Sequence, residues 1–394
     1  MKSTKLKSLR PQARSQQAAK LKVSSGSQKH VPSKPAVPGN FQKDHISLKS
    51  LEGFTIKALQ STGLAEVDAK VAAEVLVTTD AWGTYTHGTK LLRGYLRRLK
   101  GGGLRVSGRP KIVAEGPAWA TIDGDSSLAM VTSTFAMRTA IQKARLCGIA
   151  CVGVRNSCHF GAAGFYTWQA AREGMIGLSM ANDVPSVAAP GSRGAITGSN
   201  PISYAIPAGK FRPILLDMSV ATVAGGKVYA ARTRGEQIPA TWLLGADGRP
   251  TTDPSGYPQV GALQPAAGHK GYGIALLIEA LAGILSGATI TWGIKSWLFD
   301  DFSAPTQHGA FFIAIDVNAM VPGEQFAKRV EGLVDEIHNS PRADGVARIF
   351  VPGEMEWERY DLAQQQGLSL PSDVWESLYE SAELASVNLK QAMA

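Results

Sequence analysis

From Ile46 onward, apolar positions recur at helical spacing. Leu51, Phe54, Ala58 and Leu59 share one face of a first helix, for which Ser50 is the expected cap. After Gly63, the positions Val67, Val71, Val75 and Leu76 repeat in the same way and predict a second helix. A third is predicted over Thr86–Lys100, with Leu91, Tyr95 and Leu99 in one row and Leu92 and Leu96 beside it. Gly101, Gly102 and Gly103 end it. The period then changes. Strands are expected at Ala118–Asp123, Ile149–Arg155 and Met175–Ala181, and helices between them at Ser133–Leu146 and Ala163–Glu173. Strand–helix–strand order with short connections predicts right-handed parallel crossovers. Two strands, Ile202–Pro207 and Pro213–Asp217, follow a Pro/Gly-rich loop. A long apolar helix at Gly271–Leu285, a strand at Ala310–Val317 and a helix at Glu324–Asn339 continue the α/β pattern. Past Glu354 the spacing is helical again, and these helices are expected to fold back on the first ones. There is no internal repeat.

The longest apolar run, Gly271–Ala288, carries Glu279 in its middle and is broken by glycines. It reads as a buried core helix rather than a membrane span. Composition is that of a globular protein, with 44% hydrophobic and 19% charged residues among 394. The formal charge of +9 is local. Residues 1–40 hold seven Lys, two Arg and no acid, which leaves 32 basic and 32 acidic residues for the remainder. The folded body is therefore formally neutral, which excludes nucleic-acid binding through a basic surface of that body. The tail has no aromatics among its cations, so it offers at most non-specific attraction to nucleic acid. With few large apolar side chains it is expected to be disordered. Three cysteines, Cys147, Cys151 and Cys158, argue against a disulfide framework and fit a reducing, cytoplasmic setting. The domain boundaries that follow are a basic tail over 1–42, a helical unit over 43–117, a core over 118–354 and returning helices over 355–394.

Six segments carry candidate chemistry. In Thr86-His87-Gly88-Thr89-Lys90, Thr86 as N-cap would put His87 in a first helical turn, where free N–H groups welcome a carboxylate. His87 could then exchange a proton with a bound 2-oxo acid; the competing reading is a surface histidine near a cap. Ser157-Cys158-His159-Phe160-Gly161 follows a strand and precedes a helix, the ligand-binding end in α/β sheets. A loop histidine bonded to a neighbouring carbonyl is the alternative there. In Asp217-Met218-Ser219, a carboxylate ends an apolar strand, either to orient an imidazole or hold a cofactor hydroxyl, or simply to cap the next element. Gly225-Gly226-Lys227 is a phosphate loop or an ordinary turn. His269-Lys270-Gly271 opens the apolar helix and suits a phosphate, without Walker spacing. Pro352-Gly353-Glu354 follows a strand and by itself is a turn. No glycines fall at the dinucleotide-fingerprint spacing, and no Cys/His cluster has metal-site spacing, so no metal is expected.

Taken in order, these stretches resemble the malate/L-lactate dehydrogenase family that is unrelated to the Rossmann lactate dehydrogenases. The similarity runs from Ile46 to Glu354. It includes Asp80, Thr86-His87-Gly88, Asp123-Gly124, Ser157–Gly161, Gly198-Ser199-Asn200-Pro201, Asp217-Met218-Ser219, Gly226-Lys227, Pro250–Pro254, His269–Gly273 and Pro352-Gly353-Glu354. The resemblance implies an α/β (α+β) fold: a non-Rossmann NAD(P)-binding core with a mixed sheet, plus a helical unit formed by both chain ends. It implies a homodimer that moves a hydride between NAD or NADP and a small 2-hydroxy or 2-oxo acid, such as malate, lactate or ureidoglycolate. His87, His159 and Asp217 would be catalytic, with His159 the base for alcohol oxidation and His87 positioning the substrate or acting as acid in reverse. Ser157, Asn182, Asn200, Met218, Ser219, Lys227, His269, Lys270, Gly271, Pro352, Gly353 and Glu354 would serve the cofactor. Two family arginines are replaced by Trp82 and Leu91, so Lys90 or Arg93, with Thr86, is expected to take the substrate carboxylate. The alternative function is a catalytically silent dimeric binding protein with the same fold.

Overall fold

The computed structural model describes residues 45–393; the expected disordered tail over 1–42 lies outside the described residues. The chain opens on α1 (Leu48–Gln60), α2 (Glu66–Ala81) and α3 (Leu92–Gly101). The inner row of α1 is buried as its spacing predicts, but the cap is Ser47 rather than Ser50: Ser47 Oγ accepts the Ser50 N–H at 3.0 Å. In α2 the expected valine row drifts off the inner face, and Val67 is 67% exposed. Alanines do the packing instead, with Ala69, Ala72 and Ala73 buried beside Val75 and Leu76, which lets α2 sit close to its neighbours. Thr86 caps no helix: a 3-10 turn, Thr89–Leu91, precedes α3, and residues 82–88 form a turn. Gly102 ends α3 in the left-handed conformation.

The α/β core follows as β1 (Lys111–Gly116), β2 (Trp119–Asp123), α4 (Ala129–Cys147), β3 (Ile149–Ser157), α5 (Ala163–Arg172) and β4 (Met175–Ala181). Next come β5 (Val187–Ala188), β6 (Ala195–Thr197), β7 (Ile202–Ile206) and β8 (Ile214–Met218). Then α6 (Gly225–Arg234), β9 (Leu243–Leu244), β10 (Pro250–Thr251), β11 (Ala262–Leu263) and α7 (His269–Ile278) run into a π-helical stretch, Glu279–Leu285. β12 (His308–Asp316) and α8 (Gly323–His338) complete it. The main sheet has seven strands in the order β1-β2-β3-β12-β4-β7-β8. β2 and β3 are parallel neighbours joined through α4. β3 and β4 are also parallel, but they are not neighbours, because β12 enters between them antiparallel to both. Its alternation serves both faces: Phe312 joins the large core under α4 and α5, and Phe311 packs with Ile278 and Ala282 on the other side. A second, five-stranded sheet, β10-β9-β11-β5-β6, is made of strands too short to show a period. The hairpin strand β1 also escapes the sequence pattern, since its residues are exposed on both faces.

Three helices close the chain: α9 (Glu354–Gln366), α10 (Ser372–Ala385) and α11 (Leu389–Met393). α9 contacts α2, α10 contacts α3, and α11 contacts α1. Ile46 and Leu368 exchange two backbone bonds at 2.9 and 2.8 Å, lacing the two ends together. Trp82 stands edge-on to Trp168 and Trp357, at 5.8 and 5.6 Å between ring centroids. It is therefore a core side chain joining α2, α5 and α9. Among the described residues no helix is long and apolar enough to cross a membrane.

Candidate active site

The pairings make β2, β3, β4 and β8 mutually parallel, so their carboxyl ends share one edge of the sheet. His159 lies just past β3 on that edge and is half-buried. Its Nδ1 accepts the Gly161 N–H at 3.3 Å and bonds Tyr95 Oη at 2.9 Å. A backbone N–H can only donate, so Nδ1 carries the lone pair, the Tyr95 hydroxyl donates to it, and the neutral ring holds its proton on Nε2. Trp297 stacks on the imidazole at 4.5 Å and on Tyr95 at 5.0 Å. Burial first, and then the neighbouring His87, push the His159 pKa down to about 3, against the opposing pull of Asp183.

His87 reaches the same place from the turn before α3, and the two imidazoles stack at 5.6 Å between centroids. That turn is built around Asp80, which is fully buried at the end of α2. Asp80 Oδ2 accepts the Thr89 N–H at 3.0 Å and the Thr89 hydroxyl at 2.6 Å. A Cβ on Gly88 would sit 1.9 Å from Asp80 Oδ1, so only glycine allows this approach. Burial raises the His87-side carboxyl, Asp80, to about 7, the Thr89 bonds notwithstanding. Asp80 thus binds its proton more tightly folded than unfolded. Its contribution to stability is present at low pH and is lost as pH rises from about 4 to about 7. Asp80→Asn keeps an acceptor for Thr89 and removes the ionisation. The variant is expected to melt higher than wild type at pH 8 by the equivalent of roughly 1–3 kcal/mol, with a flatter dependence of Tm on pH between 4 and 7. A variant that keeps the wild-type slope, or melts lower at pH 8, would show that ionising Asp80 costs the fold nothing.

Two further groups complete the cluster without having been anticipated from the sequence. Asp183 follows β4, and His308 begins β12, the strand between β3 and β4. His308 Nε2 bonds Asp183 Oδ1 at 3.0 Å, and its Nδ1 bonds Thr306 Oγ1 at 3.0 Å. The Val184 N–H also donates to Asp183 Oδ1, at 2.7 Å. Burial alone would raise Asp183, but the bond and charge of His308, with the charge of His159, bring it below the usual carboxylate range. Asp183 had a signal, since it follows a strand as His159 does. His308 had none, because its neighbours come from strands more than a hundred residues away in the chain.

The other sequence-predicted residues divide into two groups. Lys90 is paired with Asp373 at 2.5 Å and Arg93 with Glu380 at 2.9 Å, so both are turned to α10 rather than to the imidazoles. Thr86 Oγ1 bonds His87 Nδ1 at 3.0 Å. Asp217 Oδ2 accepts the Gly164 N–H at 2.7 Å, which caps α5 instead of orienting an imidazole. Asn182 and Asn200 spend their amides internally: Asn182 on Gly309 N and Thr289 O, Asn200 on Asp183 N and Glu279 Oε1. Ser157 is buried at the end of β3, its carbonyl 3.2 Å from Thr306 Oγ1. Pro352-Gly353-Glu354 flanks β8: Pro352 O accepts the Leu215 N–H at 2.9 Å, Gly353 packs on Leu215, and Glu354 pairs with His338 at 2.9 Å.

The remaining candidates gather where β8 leaves the sheet. Met218 ends that strand and Ser219 Oγ accepts the Ala221 N–H at 2.9 Å. The start of α7 lies against this turn, with Gly271 so close to Val220 O that a Cβ would meet it at 3.0 Å. His269 and Lys270 are exposed at that helix start, and Lys227 is exposed in the first turn of α6. Exposed lysines at two helix starts have the charge and donor chemistry that phosphate oxygens require.

A sequence model described as malate/L-lactate dehydrogenase matches residues 46–379. The chain is 37% identical to a malate dehydrogenase of Pyrococcus abyssi over 349 residues, 87% of this chain and 95% of that one. It is 32% identical to a ureidoglycolate dehydrogenase (NAD(+)) of Escherichia coli K12, covering 86% and 95% of the two chains. Among solved structures it superposes on a sulfolactate dehydrogenase from Methanocaldococcus jannaschii with a TM-score of 0.81 and 34% identity, over 88% of this chain and 99% of that one.

Proposed function

The chain belongs to the malate/L-lactate dehydrogenase family, and on that footing we propose that it moves a hydride between NAD or NADP and a small 2-hydroxy or 2-oxo acid. Its relatives include dehydrogenases named for malate, sulfolactate and ureidoglycolate, all 2-hydroxy acids. The observation that carries the reading is the stacking of His87 on His159 at the carboxyl edge of four parallel strands. A ketone oxygen there would gain negative charge during reduction. His159 meets it with a neutral Nε2–H, because its Nδ1 is already filled by Gly161 and Tyr95. His87 is then the imidazole left to deliver a proton in reduction and to take one in oxidation, a division that departs from the sequence-based preference for His159 as base.

The bound nicotinamide would supply the hydride. Ser219, Lys227, His269 and Lys270 would hold its phosphates, while Asn182 and Asn200 shape the loop that carries Asp183. Lys90 and Arg93 do not enter the proposal, since each already has a carboxylate partner on α10. A second copy of the chain is proposed to cover the apolar helix. Leu277 is 51% exposed, and Ile284 and Leu285 are each 65% exposed, in the single chain. A monomer by light scattering would remove that element. Three free cysteines accord with work in the reducing cytoplasm.

The test is oxidation of NADH and of NADPH, followed by absorbance, against a panel of 2-oxo acids. Turnover of at least one acid with one cofactor is expected. A dead panel together with no cofactor binding would favour the silent binding protein.

A further inference from the structure

The His87–His159 pair has a charge problem. Two imidazoles 5.6 Å apart in a half-buried cleft each resist protonation, yet reduction of a carbonyl consumes a proton. The surroundings offer little help from cations or free anions. Around the two rings stand Tyr95 from α3, Cys158 just past β3, Asp183 after β4 and His308 on β12, and near Asp183 stand Glu279 from the π-helical stretch and Tyr257. Glu279 is tied to Asn200 at 3.0 Å and held toward its neutral form, first by burial. Tyr95, Tyr257 and Cys158 are likewise held neutral by burial. The guanidinium of Arg98, whose charge reaches Cys158, faces the carbonyls of Ser296, Trp297, Asp301 and Ala304.

Asp183 remains. It is fixed through one oxygen: Oδ1 takes both His308 Nε2 and the Val184 N–H, and its side chain keeps 22% exposure. Its backbone N–H is anchored on Asn200 Oδ1 at 3.0 Å. His308 is 2% exposed and pinned at its other nitrogen by Thr306. A buried imidazole braced at both nitrogens has one evident use here, which is to hold the carboxylate in place. His308 pairs across the sheet with Ser157, two positions before His159, so its bond to Asp183 puts that carboxylate on the side of the stacked imidazoles, where its charge favours the protonated form of His87.

We propose that Asp183, oriented by His308, is the counter-charge that lets His87 hold the proton given to the substrate oxygen. The assignment rests on the dehydrogenase reading above for its use, but not for its existence. Asp183 touches neither substrate nor cofactor in this scheme; it is a positioning residue that acts through His87. In reduction His87 gives its Nε2 or Nδ1 proton to the developing alkoxide and becomes neutral, and it regains that proton from solvent before the next turnover.

Three variants test it in the full-length protein: Asp183→Asn, His308→Gln and His308→Ala. Removing the charge disfavours imidazolium, so in Asp183→Asn the pH above which reduction fails should fall by about one unit, a roughly tenfold loss of kcat/KM on the alkaline side. His308→Gln keeps a donor to Asp183 and should retain the wild-type profile, whereas His308→Ala should shift it part of the way. The same shift is read without turnover by NMR titration of selectively labelled histidine rings, seven in the chain, with the His87 signal assigned by its loss in His87→Asn. If no acid in the panel is turned over, the NMR titration still decides this point. An unmoved His87 titration in Asp183→Asn overturns the proposal, whatever happens to kcat. A shift in His308→Gln as large as that in Asp183→Asn overturns the orienting role of His308.

Discussion

His87→Asn is expected to lower kcat for 2-oxo acid reduction by about 10²–10⁴ and to erase the pH limb that reports its protonation, with cofactor affinity retained. Asparagine matches the polarity and part of the reach of histidine but cannot exchange a proton near neutral pH. His159→Asn is expected to cost about 10²–10³ in kcat, the usual loss of one hydrogen-bond donor at a developing oxyanion, and to leave the pH limb in place. The difference follows from His159 Nδ1, which is filled by the Gly161 N–H and Tyr95 Oη. A second proton on that ring would point at a backbone N–H. Measuring kcat against pH for both variants, with cofactor Kd taken separately, reads the two roles apart. A limb that survives in His87→Asn and vanishes in His159→Asn reverses them. Near wild-type turnover in both variants leaves the reaction without its acid.

Much of this arrangement was legible along the chain, and the reasons differ by element. Helices α1, α4, α5 and α8 carry enough turns for the 3.6 period to show. His159 could be placed because a strand–loop–helix passage marks the ligand edge of such sheets. The order of strands could not be read: β12 is remote in sequence from both its partners, and its antiparallel entry separates β3 from β4. Local signals also misplace caps. Thr86 has the chemistry of an N-cap, yet Asp80, nine positions before Thr89, does that work through space. Asp217 is the reverse case, an attractive catalytic carboxylate that serves as the cap of α5. Trp82 and Leu91, at positions where the resemblance implies arginines, belong to or lean on the main core, a role their size and apolarity permit. Contacts of that kind are set by the fold, and a single chain of letters does not order them.

The variant with the largest expected effect on stability is Arg98→Ala. Arg98 is an inner residue of α3 and is fully buried, with no carboxylate paired to it among the described residues. Its guanidinium instead forks across four carbonyls: Nε to Trp297 O at 2.6 Å, Nη2 to Ser296 O at 2.7 Å, and Nη1 to Ala304 O at 2.9 Å and Asp301 O at 3.3 Å. It also lies 5.4 Å over the Phe302 ring. Alanine would leave those carbonyls without their donor and open a space the size of the side chain, for a loss on the order of 3–5 kcal/mol. Arg98→Lys keeps the charge but presents one ammonium where a planar fork is required, so it should recover only part of that loss. The consequence reaches the candidate site, because the segment Arg98 holds carries Trp297, which stacks on His159 and Tyr95. Faster hydrogen exchange is therefore expected at residues 296–304, together with a drop in turnover that exceeds any change in cofactor Kd. Urea unfolding measures the stability term. A loss under about 0.5 kcal/mol, the range of ordinary surface substitutions, would mean that water or a neighbouring side chain takes over the four carbonyls and that Arg98 does not hold the Trp297 segment.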